Sequence, residues 1–196
     1  MWHQAFETLG TMSFLKDSGP IEGVRDILLL NKDAGIALVN YHTSVMRQNS
    51  ELSEKHRELI AAYVSGLNNC QYCHGVHSVT AQSFGVEEGI LKSLLEDMDS
   101  APIDERLKPI LRYAKQLTLD PAKTTDSQAE AILEAGWSEQ ALHDTVNVVC
   151  LFNFMNRLVE GHGVKGHSSL YDERGKALQE KGYDPLLTVL SKGEGI

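Results

Sequence analysis

The sequence lacks any long hydrophobic run. Its densest apolar run spans only residues 27–30, whereas a membrane-spanning helix needs about 18 consecutive apolar residues. Residues 1–7 also lack the basic start and apolar stretch of a signal peptide. Basic residues are outnumbered: 18 Lys and Arg stand against 27 Asp and Glu, a net charge of −9. Because the chain has no long apolar run, we expect no membrane as a partner. Because no basic stripe is present to follow a phosphate backbone, we expect no nucleic acid either.

Cysteine is scarce too, with three residues in a chain of 196. A secreted disulfide framework has more cysteines and usually an even number of them, so we expect a cytoplasmic location. Cys70 and Cys73 nevertheless form a C-x-x-C pair, which in a cytoplasmic chain is typical of redox chemistry or of half a metal site. Cys150 lies in the most apolar segment and is predicted to be a small core residue.

Strand-like alternation of apolar and polar residues is almost absent, whereas helical periodicity runs through most of the chain. The composition, 42% hydrophobic and 23% charged, is that of an ordinary globular domain. We therefore predict a single all-α domain over residues 1–196, with a core at about residues 21–165. The polar tail at about residues 166–196 is predicted to wrap the surface.

Capping residues predict where the central helices begin and end. Ser53 is a suitable N-cap for a helix that reaches about Gly66, and a turn containing Gly and Asn follows it. The next helix is predicted from Cys70 to Phe84. Residues 138–160 are apolar on nearly every side, which predicts a long helix that is either central to the core or shared between subunits. We therefore expect a homo-oligomer.

Two cysteines and a histidine share one face of the helix that begins at Cys70. At 100° per residue, Cys70, Cys73 and His77 lie within about 60° of one another. Cys70 would lie at the helix N-terminus, where unpaired N–H groups and the helix dipole stabilise a thiolate. His77 follows Cys73 by four residues and can exchange a proton with it.

A carboxylate is predicted to lie level with His77. If the helices on either side of the turn are antiparallel, Glu58 lies about 12 Å and His77 about 10.5 Å from the turn, given a rise of about 1.5 Å per residue. The sequence therefore predicts a proton relay from Glu58 through His77 to Cys73, with Cys70 nearer the mouth of the site.

The spacing of these residues resembles that of a known family. Glu58, eleven residues, Cys70-x-x-Cys73, three residues, His77 and then Ala81 is similar to the alkylhydroperoxidase D-like (AhpD-like) group of the carboxymuconolactone decarboxylase superfamily, most of all to its peroxidase-related branch. Further similarity lies in later segments, at residues 117–118, 136–138 and 152–157. The resemblance implies an all-α AhpD-like helical domain, with the C-x-x-C at the N-terminus of a core helix of an antiparallel helix pair.

The resemblance also implies an oxidoreductase that reduces hydroperoxides or exchanges with a disulfide partner. Cys70, Cys73, His77 and Glu58 would be its catalytic residues, no cofactor is implied, and a dithiol or lipoyl-type protein would restore the thiols. It favours Cys73 as the thiol that reacts with the peroxide, whereas helix-terminus electrostatics favours Cys70.

One position departs from the family pattern. The best-studied members carry His between the two cysteines, where this chain has Tyr72. Tyr72 is therefore an auxiliary candidate, and His74 is a candidate to replace part of the function of the missing imidazole.

Other functions stay open. A non-catalytic metal-binding or oligomeric scaffold module would use Cys70, Cys73 and His77 as zinc ligands with Glu58 as the fourth, although the chain offers no second C-x-x-C. A lactone decarboxylase-like enzyme is a further alternative, but that chemistry does not require the cysteine pair. The other histidines show no ligand spacing and are predicted to have structural or surface roles: His3, His42, His56, His143, His162 and His167.

Overall fold

The computed structural model describes residues 13–192, so the predictions for residues 1–7 and for His3 lie outside it. The described residues form ten α-helices and one short 3-10 helix, Pro121–Lys123, and contain no strand. The prediction of an all-α fold is confirmed. The helices are α1 (Val24–Leu29), α2 (Lys32–Arg47), α3 (Glu54–Leu67), α4 (Gln71–Ser83), α5 (Ile90–Glu96), α6 (Leu107–Leu119), α7 (Asp126–Glu134), α8 (Glu139–Gly161), α9 (Ser168–Lys181) and α10 (Asp184–Lys192).

Helices α3 and α4 form an antiparallel pair. The Ser53 hydroxyl accepts a hydrogen bond from the His56 N–H at 3.3 Å, which caps the start of α3. The chain turns through Asn69, whose φ of 55° is left-handed, a conformation that Asn adopts more readily than most residues. Cys70 is then the N-cap of α4. This tight turn brings the middle of α3 against the middle of α4.

Helix α3 lies at the centre of the core. Every residue from 57 to 65 is buried, and the helix packs against α4, α5, α6 and α8. Tyr63 of α3, Ile110 of α6 and Phe152 of α8 are among the largest fully buried side chains. The Glu58 carboxylate lies in this buried stretch and has no exposed surface, and this sets the electrostatics of the site described below.

The tail from residue 166, which was predicted to wrap the surface, is helical. This segment forms α9 and α10, which pack against α4 and α2 respectively. Glycine permits the close approach of α9 to α4: a Cβ added at Gly175 would lie 2.6 Å from Val79 Cβ and 2.9 Å from the Val76 carbonyl oxygen. The C-terminal helices therefore cover the helix that carries the cysteine pair.

The prediction that Cys150 is a core residue is wrong, because its side chain is exposed. Helix α8 buries one side, which includes Val148, Phe152 and Met155. Cys150 lies on the outer side together with Phe154, which is 52% exposed. The apolar composition of α8 hides this division, since both of its sides carry apolar residues.

Among residues 13–192, no helix combines the length and the apolar character that crossing a membrane requires.

Candidate active site

The two cysteines of the pair lie in different surroundings. Cys70 has no exposed surface and packs against a small apolar cluster that includes Ile21, Val159 and Val164. Cys73, one turn further along α4, lines a cavity. The prediction that Cys70 lies nearer the mouth of the site is therefore wrong. A helix N-terminus is open to solvent only if nothing covers it. Here the segments before α1 and after α8 cover the N-terminus of α4.

The cavity has a volume of about 390 Å³. Residues of α1, α2, α4, α8, α9 and α10 line it, and its walls are mainly apolar, with Val76 and Met155 among them. Cys73 and His77 are buried reactive groups of its inner wall, whereas Arg25 and Glu173 are exposed residues at its rim. A small, largely apolar molecule that enters this cavity meets the Cys73 thiol.

Glu58 and His77 are in direct contact. The His77 Nδ1–H donates a hydrogen bond to Glu58 Oε2 at 2.6 Å. The other carboxylate oxygen, Oε1, lies 2.7 Å from Arg47 Nη2. Burial alone would raise the pKa of the fully buried Glu58 carboxyl, but the attraction and hydrogen bonds of His77 and Arg47 outweigh burial and lower it. Glu58 is therefore an ionised carboxylate at neutral pH, held between two cationic or hydrogen-bonding partners.

Arg47 is a site residue that the sequence analysis missed. Its guanidinium carbon lies 5.2 Å from the centre of the Tyr183 ring and 5.5 Å from that of Phe84. Its Nη2 also donates to the Leu178 carbonyl oxygen at 3.3 Å. Arg47 lies in a third helix, α2, and no spacing in the sequence indicates how this helix packs against Glu58.

The two thiols influence each other's acidity. A hydrogen bond from the Cys73 side chain lowers the pKa of the Cys70 thiol, although burial and the Glu160 carboxylate oppose this. The same hydrogen bond to Cys70, together with burial, raises the pKa of Cys73 well above its ordinary value. The pair therefore favours charge on Cys70 and a protonated Cys73, so Cys73 needs a base before it can react with an electrophile.

An amide network supports the turn before the pair. Asn68 Nδ2 donates to Asn156 Oδ1 at 2.9 Å and to Asn153 Oδ1 at 3.1 Å. Asn156 Nδ2 in turn donates to the Ser65 hydroxyl at 3.0 Å. A hydrogen bond from Asn156 to the Cys73 side chain also acts to lower the pKa of that thiol, against the larger effects that raise it. Helix α8 thereby fixes the turn that positions both cysteines.

Tyr72 lines the cavity and ties three helices together. Its hydroxyl is hydrogen-bonded to Arg174 Nη1 of α9 and accepts from the Val24 N–H of α1 at 3.4 Å. Gly23 makes room for this contact, because a Cβ there would collide with the Arg174 guanidinium and with the Tyr72 hydroxyl. Tyr72 is thus a wall residue whose hydroxyl already has partners.

His74 is not brought to the site. Its Nδ1–H donates to the Ala62 carbonyl oxygen at 2.9 Å on the side of α4 that faces α3, and His74 does not line the cavity. The described part of the chain also contains no group of three or more His, Cys, Asp or Glu side chains arranged to hold a metal ion. The zinc alternative therefore has no ligand set among these residues.

Comparison with protein families supports the resemblance. Residues 32–116 match the sequence model described as the carboxymuconolactone decarboxylase family, and this segment contains Glu58, both cysteines of the pair and His77. In this segment the chain is similar to the carboxymuconolactone decarboxylase family. No curated protein matches the chain.

Solved structures confirm the AhpD-like fold of the chain. An uncharacterized peroxidase-related protein from Silicibacter sp. TM1040 has a TM-score of 0.70 at 24% identity, covering 76% of this chain and 78% of that one. An uncharacterized peroxidase-related protein from Ralstonia eutropha JMP134, described as an alkylhydroperoxidase AhpD core, has a TM-score of 0.69 at 21% identity, with the same coverage of both chains.

Proposed function

We propose that the protein is a thiol-dependent peroxidase that reduces a hydroperoxide with the Cys70–Cys73 pair. The observation that carries the proposal is the composition of the inner cavity wall. Cys73 and His77 line the same mainly apolar space, and His77 is hydrogen-bonded to the buried Glu58 carboxylate. A raised thiol pKa and a neighbouring imidazole held by a carboxylate are the parts of a general-base relay.

The first half-reaction oxidises Cys73. His77 takes the thiol proton, the Cys73 sulfur attacks the terminal oxygen of R–O–O–H, and the O–O bond breaks. The sulfur supplies two electrons and becomes a sulfenic acid, and the leaving alkoxide receives the proton from His77 to give R–OH. Cys70 then attacks the sulfenic sulfur, which forms the Cys70–Cys73 disulfide and releases water.

The second half-reaction restores both thiols. A dithiol donates two electrons and two protons to the disulfide and is itself oxidised to a disulfide. Because Cys70 has no exposed surface whereas Cys73 lines the cavity, we propose that the reductant attacks Cys73 and is narrow enough to enter the cavity. The dithiol or lipoyl-type protein expected from the sequence fits this if it carries its dithiol on a slender arm.

Titration of free thiols before and after one equivalent of hydroperoxide tests the proposal. The parent is expected to lose two thiols, and Cys150→Ser, the matched control, to lose the same two. Cys70→Ser should be oxidised once, to a sulfenic acid that a dimedone-type reagent traps, and should not turn over. Glu58→Gln and His77→Ala should be oxidised at least about tenfold more slowly at neutral pH, and the His77→Ala rate should approach that of the parent as the pH rises and Cys73 ionises unaided.

The same measurements separate the alternatives. Thiols that do not react with peroxide, together with one equivalent of zinc in elemental analysis, would favour the scaffold module instead. Decarboxylation of a lactone that persists in a variant lacking both Cys70 and Cys73 would favour a lactone decarboxylase-like enzyme, the chemistry after which the family is named. The cytoplasmic location stays a prediction, based on the cysteine count.

A further inference from the structure

A second imidazole lines the cavity. His42 of α2 is 6% exposed and lines the same space as Cys73 and His77. The two imidazoles pack edge-on to one ring: the centre of Phe152 lies 4.5 Å from that of His77 and 6.4 Å from that of His42. From the sequence, His42 was predicted to have a structural or surface role. The relay described above does not use it.

The hydrogen bond of the His42 side chain fixes its tautomer. Nδ1 lies 3.0 Å from the Leu38 carbonyl oxygen, which can only accept, so Nδ1 carries the hydrogen. Burial lowers the pKa of His42 to about 4, despite the opposing effect of the Leu38 bond, so the ring is neutral at physiological pH. Nε2 therefore presents a lone pair. Nε2 has no hydrogen-bond partner within residues 13–192, and it is accessible to solvent there.

The cavity wall otherwise offers few free acceptors. The Tyr72 hydroxyl is already bonded to Arg174 and to the Val24 N–H. His77 Nδ1 donates to Glu58, and His77 Nε2 is the atom that takes the thiol proton in the proposed relay. The Tyr183 hydroxyl has no partner among residues 13–192, but it is sealed from solvent. An acceptor with a free lone pair in a mainly apolar space is matched by a ligand with one O–H donor and an apolar body.

We propose that His42 Nε2 accepts a hydrogen bond from the O–H group of the hydroperoxide and so positions the terminal peroxide oxygen for attack by the Cys73 sulfur. This rests on the proposed peroxidase function and adds a substrate-binding residue to it. His42 gains and loses no proton in the step. The hydrogen it contacts stays on the terminal oxygen, first in R–O–O–H and then in Cys73–S–O–H, while His77 carries the proton from the thiol to the leaving alkoxide.

Two electrophiles that the same sulfur attacks test this inference. The variants are His42→Leu, which removes the acceptor, and His42→Gln, whose amide oxygen can replace Nε2. His162→Leu is the matched control, because His162 makes the same bond to the carbonyl four residues before it, at 2.7 Å, but does not line the cavity. The rate of Cys73 oxidation by tert-butyl hydroperoxide is compared with its rate of alkylation by iodoacetamide, which has no peroxide O–H.

We expect His42→Leu to slow oxidation by about three- to tenfold, the usual effect of one lost neutral hydrogen bond, and to leave alkylation unchanged. His42→Gln should recover part of the oxidation rate, and His162→Leu should match the parent in both reactions. Equal oxidation rates in parent and His42→Leu, or an equal loss of oxidation and alkylation, would overturn the role of His42. A parent whose Cys73 is alkylated but not oxidised by the peroxide would instead overturn the proposed peroxidase function itself.

Discussion

At the scale of single residues, the central feature is a carboxylate with no exposed surface. Glu58 is stabilised as an anion by His77 on one oxygen and by Arg47 on the other. Removing one member of a buried ion pair leaves the other charge uncompensated, which typically costs about 3–5 kcal/mol. The group that is proposed to activate the thiol is thus also a part of what holds α2, α3 and α4 together.

This dual role predicts how the stability of Glu58→Gln depends on pH. The folded pKa of Glu58 is lowered, so its contribution is present above the unfolded value of about 4.3 and is lost as the pH falls through the folded value. In denaturant titrations at pH 7 we expect Glu58→Gln to unfold about 3 kcal/mol more easily than the parent. The difference should shrink as the pH falls below about 4.

Glu54→Gln is the matched control for that measurement. Glu54 Oε1 lies 3.9 Å from Arg47 Nε, but its side chain is 38% exposed, and exposed ion pairs contribute about 0–1 kcal/mol. A stability difference between Glu58→Gln and the parent that is the same at pH 7 and pH 3 would contradict the assignment of Glu58 as a buried anion.

The roles of some of these residues could be predicted from the sequence, and those of others could not. Glu58 and His77 flank a single turn, so the rise per residue was enough to predict that they lie level. Arg47 and His42 come from α2, and their approach depends on how a third helix packs, which no local pattern specifies. The accessibility of Cys70 was predicted wrongly for a similar reason, since distant segments cover it.

At the scale of secondary-structure elements, the contact between α4 and α9 decides the shape of the site. Gly175 is the buried position of α9, and the other residues of this helix are mostly polar. Because glycine has no side chain, Gly175 does not show up as a buried position in a hydrophobic pattern. For this reason the segment was predicted to be a surface tail. The boundaries of α3, α4 and α8 were predictable because their caps and apolar stripes are local features.

Gly175→Ala should therefore weaken the protein. The added methyl group would lie 2.6 Å from Val79 Cβ and 2.9 Å from the Val76 carbonyl oxygen, and such overpacking typically costs about 1–3 kcal/mol. Gly161→Ala is the control, since Gly161 ends α8 and a Cβ there meets nothing within 4 Å; alanine should be neutral or stabilising by up to about 1 kcal/mol. Chemical denaturation midpoints measure both. Equal midpoints for the two variants would count against close packing of α9 on α4.

At the scale of the whole molecule, we propose that the chain forms a homo-oligomer, as expected from the sequence. The inner side of α8 is buried in the core, so a partner chain could contact only its outer side. There Cys150 and Phe154 follow Asn147, whose side chain accepts a hydrogen bond from the Tyr41 hydroxyl at 2.8 Å. Tyr41 and Phe154 are large apolar side chains, 43% and 52% exposed.

Sedimentation at micromolar concentration tests this proposal. The chain has a mass of 21.7 kDa, and we expect a species of at least twice that mass. Phe154→Lys should shift the distribution towards the single chain, because a charge placed in an apolar interface is costly to desolvate. Phe14→Lys is the control, since Phe14 is 67% exposed and hydrogen-bonds through its backbone to the end of α8. A parent that sediments only as a single chain would contradict the proposal.

The position of Arg47 links slow motions of the C-terminal segment to the chemistry of the buried carboxylate. The guanidinium contacts Glu58, the Leu178 carbonyl oxygen and the Tyr183 ring. When a terminal segment opens locally, the last two contacts are lost together, and Arg47 regains rotational freedom. Amide protection against deuterium exchange in α9 and the residence time of the Arg47–Glu58 pair should therefore rise and fall together. Opening of α9 would then weaken the contact between Arg47 and the carboxylate that is hydrogen-bonded to His77.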